Sequence, residues 1–136
     1  MDALSTYEYI SSLTREQLSA MDRIRSIVTL KKIVKIIVRD GDQSLGPPTW
    51  IYIGIKHDHI IIPRFFCTCK HFVIRVMMEK NTLSCTHLLA QKLAEETNSY
   101  RVAYMDRGSY LNTIREIIKY GRSPTLRKVL YTSNPR

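Results

Sequence analysis

We predict an α+β fold, with a helix near the amino terminus, an antiparallel three-stranded β-meander in the middle and helices at the carboxyl end. Three observations predict it. Apolar residues recur at helical spacing over residues 15–30, β-branched residues dominate short runs within residues 33–66, and helical periodicity returns after residue 85. The chain has 136 residues, of which 44% are hydrophobic, so one globular domain is expected.

The first predicted helix covers residues 15–30. Thr14 and Gln17 form a capping-box pattern, which is typical of a helix start. The apolar residues that follow share one helical face: Leu18, Met21, Ile24 and Val28.

The predicted meander consists of strands over residues 33–39, 49–56 and 59–66. Its connections are rich in turn residues, and Pro63 implies an edge strand or a bulge. Later residues predict a short helix or turn over residues 72–77 and three further helices. These are a helix from Cys85 to about Asn98, one capped by Ser109 and ended by Gly121, and one opened by Ser123-Pro124.

Two pairs of metal-binding residue types stand close together in the chain: Cys67-Thr68-Cys69 and Cys85-Thr86-His87. Thiolate sulfur and imidazole nitrogen are the donors that Zn²⁺ prefers, and four protein ligands leave no position for a substrate or activated water. We therefore predict one structural zinc ion bound by Cys67, Cys69, Cys85 and His87, with no catalytic residues. A helix amino terminus at Cys85 would help to stabilise thiolate charge.

Other interpretations of these residues are open at this stage. The cysteines could be small buried apolar residues, or a metal-free cysteine beside His71 could act as a nucleophile. His71 could also replace His87 as the fourth ligand. His57, Asp58 and His59 could form a second metal or nuclease site, although a polar hairpin turn explains them more simply.

The net charge of +9 indicates a polyanionic partner and is concentrated near the carboxyl end. Residues 101–136 contain eight basic and two acidic side chains. We predict a nucleic-acid-binding face from the cations of the last two helices: Arg115, Lys119, Arg122, Arg127 and Lys128. Alternatively, these cations could form only the solvent-exposed side of helices whose apolar stripe supplies the core. An uncovered stripe of Leu111, Ile114 and Ile118 could instead dock a partner or a second copy of the chain.

The amino-terminal residues and the cysteine usage favour an intracellular protein, cytoplasmic or, in a eukaryote, nuclear. The first ten residues hold no Lys or Arg and no apolar block, unlike a secretory signal. Three cysteines suit a metal site better than a disulfide framework. No apolar run approaches the about 20 residues needed to span a bilayer, so no membrane association is expected.

The two ligand pairs resemble the SWIM zinc finger, in which Cys-x-Cys is followed at a distance by Cys-x-His. The surrounding residues strengthen the likeness, namely 66–72 (FCTCKHF) and 85–90 (CTHLLA). The small size and the N-terminal helix are similar to the short SWIM subunit of Shu-type recombination-accessory complexes and its archaeal relatives. The resemblance implies a ββα-type zinc module that binds DNA or proteins without enzymatic activity. In the Shu-type branch, the partner is a RecA-family recombinase paralogue.

These observations together divide the single domain into four segments. They are the N-terminal helix and first strand (1–48), the SWIM-like zinc module (49–98), the basic C-terminal helices (99–131) and a tail (132–136). The expected function is a zinc-binding accessory factor for DNA recombination or repair. An interaction adaptor, or a DNA-binding regulator with no role in recombination, is the alternative.

Overall fold

The computed structural model describes residues 3–132, which form α-helices on both sides of one β-sheet. The helices are α1 Ala3–Ser12, α2 Arg15–Ser19, α3 Asp22–Thr29, α4 Thr86–Glu96, α5 Arg107–Tyr120 and α6 Pro124–Thr132. The strands are β1 Ile33–Asp40, β2 Gln43–Ser44, β3 Thr49–Ile53, β4 Asp58–Ile62, β5 Phe66–Cys67 and β6 Arg101–Met105. A π-helix covers Phe72–Met78. The predicted α+β class is confirmed, and residues 133–136 of the predicted tail lie outside the described residues.

The sheet has the strand order β2-β1-β3-β4-β5, with β6 paired to β1. The predicted antiparallel meander is confirmed in β1, β3 and β4. Its third strand is shorter than predicted, because the chain turns at Pro63 and returns as β5 beside β4. β6 runs parallel to β1 and was not predicted, so segment 99–131 is not wholly helical.

Side-chain alternation along the strands divides the core between the two faces of the sheet. On one face, Ile33, Trp50 and Ile61 join the buried residues of α2, α3 and α4. On the opposite face, apolar residues of β1, β3 and β6 pack against Ile117 of α5 and Leu126 of α6. The zinc ligand candidates belong to the first face, and the C-terminal helices cover the second.

The predicted helix over residues 15–30 is wrong as one element, because α2 and α3 are separate. The capping box between Thr14 and Gln17 is present at the start of α2. At 100° per residue, a continuous helix would place Leu18 and Ile24 about 120° apart around its axis. The break between the helices allows both side chains to enter the same core.

The prediction that Ser109 caps the helix before Gly121 is wrong. α5 begins earlier than expected, and its cap is Asp106, whose carboxylate accepts a 2.7 Å hydrogen bond from the Ser109 amide. Ser109 therefore lies within the helix. Gly121 ends α5 as predicted, with the left-handed φ of 81° that glycine tolerates. Ser123 caps α6 by accepting a 3.0 Å hydrogen bond from the Leu126 amide.

None of the helices within residues 3–132 combines the length and apolar character that crossing a membrane would require.

Candidate metal centre

Three neighbouring elements bring the predicted zinc ligands together. Cys67 ends β5, which is held beside β4 by pairing with Ile61. Cys69 follows in the connection to the π-helix. Cys85 is the N-cap residue of α4, and His87 lies in the first turn of that helix. The site therefore joins an edge strand of the sheet to a helix amino terminus.

The four donor atoms are gathered closely, although their largest separations are wider than those around a bound zinc ion. One donor atom from each residue lies within 4.8 Å of the others, and the Cys67 Sγ to His87 Nδ1 distance is 3.8 Å. Bonds of about 2.0–2.3 Å to a tetrahedral zinc ion imply donor separations of about 3.8 Å or less. All three cysteines are buried and none forms a disulfide. The group could hold one metal ion, and its donor set suits zinc.

Backbone amides at the starts of two helical segments approach the cysteine sulfurs. The Phe72 amide donates a hydrogen bond to Cys69 Sγ at 3.3 Å. The hydrogen bond from Cys67 lowers the pKa of Cys85, but the hydrogen bond to Cys69 and burial outweigh it and raise that pKa to about 12, a rise that a hydrogen bond from the Leu88 amide opposes. Such donors stabilise negative charge on sulfur, so both segments favour the thiolate form that a metal binds.

The thiol pKa values describe a cluster that shares its protons. Hydrogen bonds from Cys67 and Cys85 hold the pKa of Cys69 well below its ordinary value. The hydrogen bonds to Cys69 and Cys85, together with burial, raise the pKa of Cys67 far above its ordinary value. In the absence of an ion, the cluster therefore favours a thiolate at Cys69 and a protonated thiol at Cys67. A bound metal would take the place of the shared protons.

His87 is held from the side of the sheet by aromatic rings. The Tyr52 ring centroid lies 4.2 Å from that of His87, and the His59 centroid lies 4.8 Å from it. Burial lowers the pKa of His59, and the neighbouring His87 ring lowers it further. A neutral His59 adds no positive charge beside the candidate ligand. These contacts fix the ring orientation of His87 with Nδ1 towards the cysteines.

The structure distinguishes between the alternative ligands. His71 is exposed and is not part of the four-residue group, whereas His87 is. Within residues 3–132, no second set of three or more potential ligands comes together around His57, Asp58 and His59. Asp58 is instead buried beneath the β3–β4 turn, where it forms an ion pair with Arg127. The polar-turn interpretation holds for His57 only, because Asp58 and His59 lie in β4.

The Asp58–Arg127 pair was not predicted from the sequence. Arg127 donates to both carboxylate oxygens at 2.7 and 2.8 Å and also to the Gly54 carbonyl at 2.9 Å. Sixty-nine residues separate the pair, and no local pattern in the sequence signals the contact. Arg127 thus ties α6 to the β3–β4 turn and is not presented to solvent like the other predicted nucleic-acid-binding cations.

The other four cations of the predicted basic face are exposed: Arg115, Lys119, Arg122 and Lys128. Arg115 hydrogen-bonds to Asn112 at 2.7 Å, and the Lys119 ammonium lies 5.4 Å from the Tyr120 ring centroid. Neither cation forms an ion pair with a carboxylate within residues 3–132. Both therefore keep their charge available to a polyanion.

No family model matches this chain, and no curated protein or solved structure shows significant similarity to it. The resemblance to SWIM zinc fingers therefore rests on the two short motifs alone.

Proposed function

We infer that this protein is a non-enzymatic zinc-binding accessory factor that binds DNA, a RecA-family recombinase paralogue or both, and so assists recombination or repair. The observation that carries this proposal is the buried group of three cysteines and His87. Four protein donors complete a tetrahedron, so a zinc ion there would be structural and function would lie on the surrounding surfaces.

DNA contact is supported by the exposed cations of α5 and α6. Arg115 and Lys119 lie one helical turn apart on the solvent side of α5, and the exposed Arg122 follows just beyond the Gly121 cap. Phosphate contacts by such residues release counterions, so affinity would fall steeply with salt. The contacts themselves would confer no sequence specificity.

Recombinase binding is supported by the SWIM-like motifs and by their arrangement between paired strands and a helix. The β4–β5 pair precedes the first two ligands, and α4 carries the last two. This order of two strands and a helix supports the resemblance on which the partner proposal rests. Recovery of a RecA-family ATPase with the tagged protein from its native host would support the partner assignment, and recovery of none would count against it.

A titration of labelled single- and double-stranded DNA at two salt concentrations tests the DNA-binding part. We expect binding at low salt that weakens at high salt, and further weakening when Arg115, Lys119 and Arg122 are changed to Ala. Arg23 and Arg25 on α3 lie on the opposite side of the sheet, so an Arg23→Ala, Arg25→Ala variant provides a control that also removes positive charge. Absence of binding at low salt would refute DNA contact.

An adaptor function is the second candidate, because an apolar stripe of α5 is uncovered. Leu111 is 60% exposed and Ile118 is 73% exposed, and Arg115 and Lys119 flank them. An acidic amphipathic segment of a partner would match both features. Loss of partner recovery in a Leu111→Ser, Ile118→Ser variant that still binds DNA would favour this candidate.

A further inference from the structure

A second surface of the molecule lies on β1 and β6, away from the cations of α5. These strands are parallel, and their register aligns Lys35 with Val102 and Ile37 with Tyr104. Aligned residues of neighbouring parallel strands point to the same face of a sheet, and Arg39 continues that face two residues beyond Ile37. We call this surface the β1–β6 face; it consists of Lys35, Ile37, Arg39, Val102 and Tyr104.

Helices cover this part of the sheet on the opposite side only. The alternate β6 residues, Ala103 and Met105, are buried in the core formed with α5 and α6. On the β1–β6 face, by contrast, Val102 is 39% exposed and Tyr104 is 51% exposed. The helices on this side contribute their buried residues to the core around Trp50, and this core does not extend to Val102 or Tyr104.

The exposed face combines aromatic rings with cations. The Arg39 guanidinium carbon lies 4.1 Å from the Tyr104 ring centroid. The Lys35 ammonium lies 5.6 Å from the ring centroids of both Trp50 and Tyr100. Among the residues that the structure describes, neither cation pairs with a carboxylate. Both cations therefore lie beside aromatic surface with their charge uncompensated.

We propose that the β1–β6 face binds single-stranded nucleic acid, by stacking bases on the Arg39–Tyr104 pair, in which the guanidinium lies over the ring, and contacting phosphates through Lys35 and the edge of Arg39. Every base has a flat face that can stack on an aromatic ring, and a cation beside the ring favours the phosphate that follows. An open sheet surface suits splayed bases, which a duplex does not offer. This site lies across the sheet from the α5 cations, so it goes beyond the DNA contact proposed above.

The chemistry of the face favours nucleic acid over an acidic peptide. The Arg39–Tyr104 stack presents planar groups to solvent, and Val102 and Ile37 add flat apolar surface beside it. An acidic peptide would use the two charges but would leave the tyrosine ring without a matching partner. Bases use the ring, the apolar surface and the charges together.

Fluorescence anisotropy with labelled oligo-dT, oligo-U and a DNA duplex tests this proposal. Each oligonucleotide is about 15 nucleotides or base pairs long, which is about the length that one binding site covers. Tyr104→Ala should weaken single-strand binding by about 5- to 100-fold, whereas Tyr104→Phe should retain most of the affinity. Lys35→Ala and Arg39→Ala should each reduce the slope of log affinity against log salt by about 0.7. The dT and U arms show whether DNA or RNA is preferred.

The α5 variant separates this proposal from the DNA contact inferred earlier. Single-strand binding that is lost in Tyr104→Ala but retained in the Arg115, Lys119, Arg122 triple Ala variant would support the β1–β6 face independently. Unchanged affinity in a Tyr104→Ala protein with a wild-type circular dichroism spectrum would overturn the proposal, even if the triple variant fails to bind. A change in oligomeric state without any change in affinity would also overturn it and would assign the face to self-association.

Discussion

The buried ion pair between Asp58 and Arg127 permits a quantitative prediction for Arg127→Ala. The Asp58 side chain is 0% exposed and that of Arg127 is 13% exposed. Truncation would remove both hydrogen bonds to the carboxylate and the bonds to the carbonyls of Gly54 and Ser123. Asp58 would keep only the backbone amides of Gly54 and Ser123 as donors.

The expected cost is that of leaving a buried carboxylate without its counterion, about 3–5 kcal/mol in free energy of unfolding. For a chain of this size, such a loss lowers Tm by roughly 10–20 °C. The exposed pair between Arg25 and Asp22 is a matched control within the same molecule. Its N–O distance is also 2.7 Å, but its side chains are 54% and 89% exposed. Arg25→Ala should therefore cost no more than about 1 kcal/mol.

Urea unfolding followed by circular dichroism measures the free energy of unfolding of both variants. The Asp58→Ala single variant and the Asp58→Ala, Arg127→Ala double variant complete a double-mutant cycle. The double variant should be less destabilised than the sum of the single variants, because it has no unpaired buried charge. Equal costs for Arg127→Ala and Arg25→Ala would refute the reasoning, as would strict additivity in the cycle.

Two further predictions concern the metal centre and the start of α6. We expect elemental analysis to detect one zinc ion per chain in the wild-type protein and none in Cys85→Ala. The segment around β5 and α4 should also unfold in that variant, because structural zinc contributes about 10–16 kcal/mol in finger peptides. His71→Ala should retain the ion, and equal zinc loss in both variants would contradict the ligand set. Burial raises the pKa of Glu116, but hydrogen bonds from Ser123 and Thr125 outweigh it and lower that pKa below 4.5. Its ionised form therefore stabilises the fold above about pH 4.5, and this contribution disappears as the pH falls through the lower folded-state pKa. Urea unfolding over that range should show a smaller acid loss of stability in Glu116→Gln, and identical pH profiles would contradict this role.

Local patterns predicted the elements whose signals lie within a few residues of each other. The capping box at Thr14 and the glycine end at Gly121 are both local, and both are present. The grouping of the four candidate ligands could likewise be predicted, because each pair is separated by one residue and chemistry limits what such pairs do.

The elements that were missed depend on distant contacts. α1 has few buried apolar side chains, and its Ile10 and Ser11 carbonyls accept hydrogen bonds from the buried Lys92 ammonium. β6 has weak β-propensity at Ala103 and Met105 and is stabilised by pairing with β1, far earlier in the chain. The sequence around Arg127 predicts a basic helix face, whereas its partner Asp58 is the first residue of β4. Such contacts have no signature at short range.

Because β5 lies at the edge of the sheet, a metal ion at this site would also protect the protein against aggregation through that edge. β5 is a two-residue strand at the margin of the sheet, and Phe65 just before it is held against Tyr7 of α1, with ring centroids 5.0 Å apart. An ion bound to Cys67 would anchor that margin to α4. Loss of the ion would release a short strand that contains Phe66 and follows Phe65, with unpaired backbone groups that can join another chain. Removal of the metal ion by a chelator would therefore cause aggregation before it abolished any binding surface.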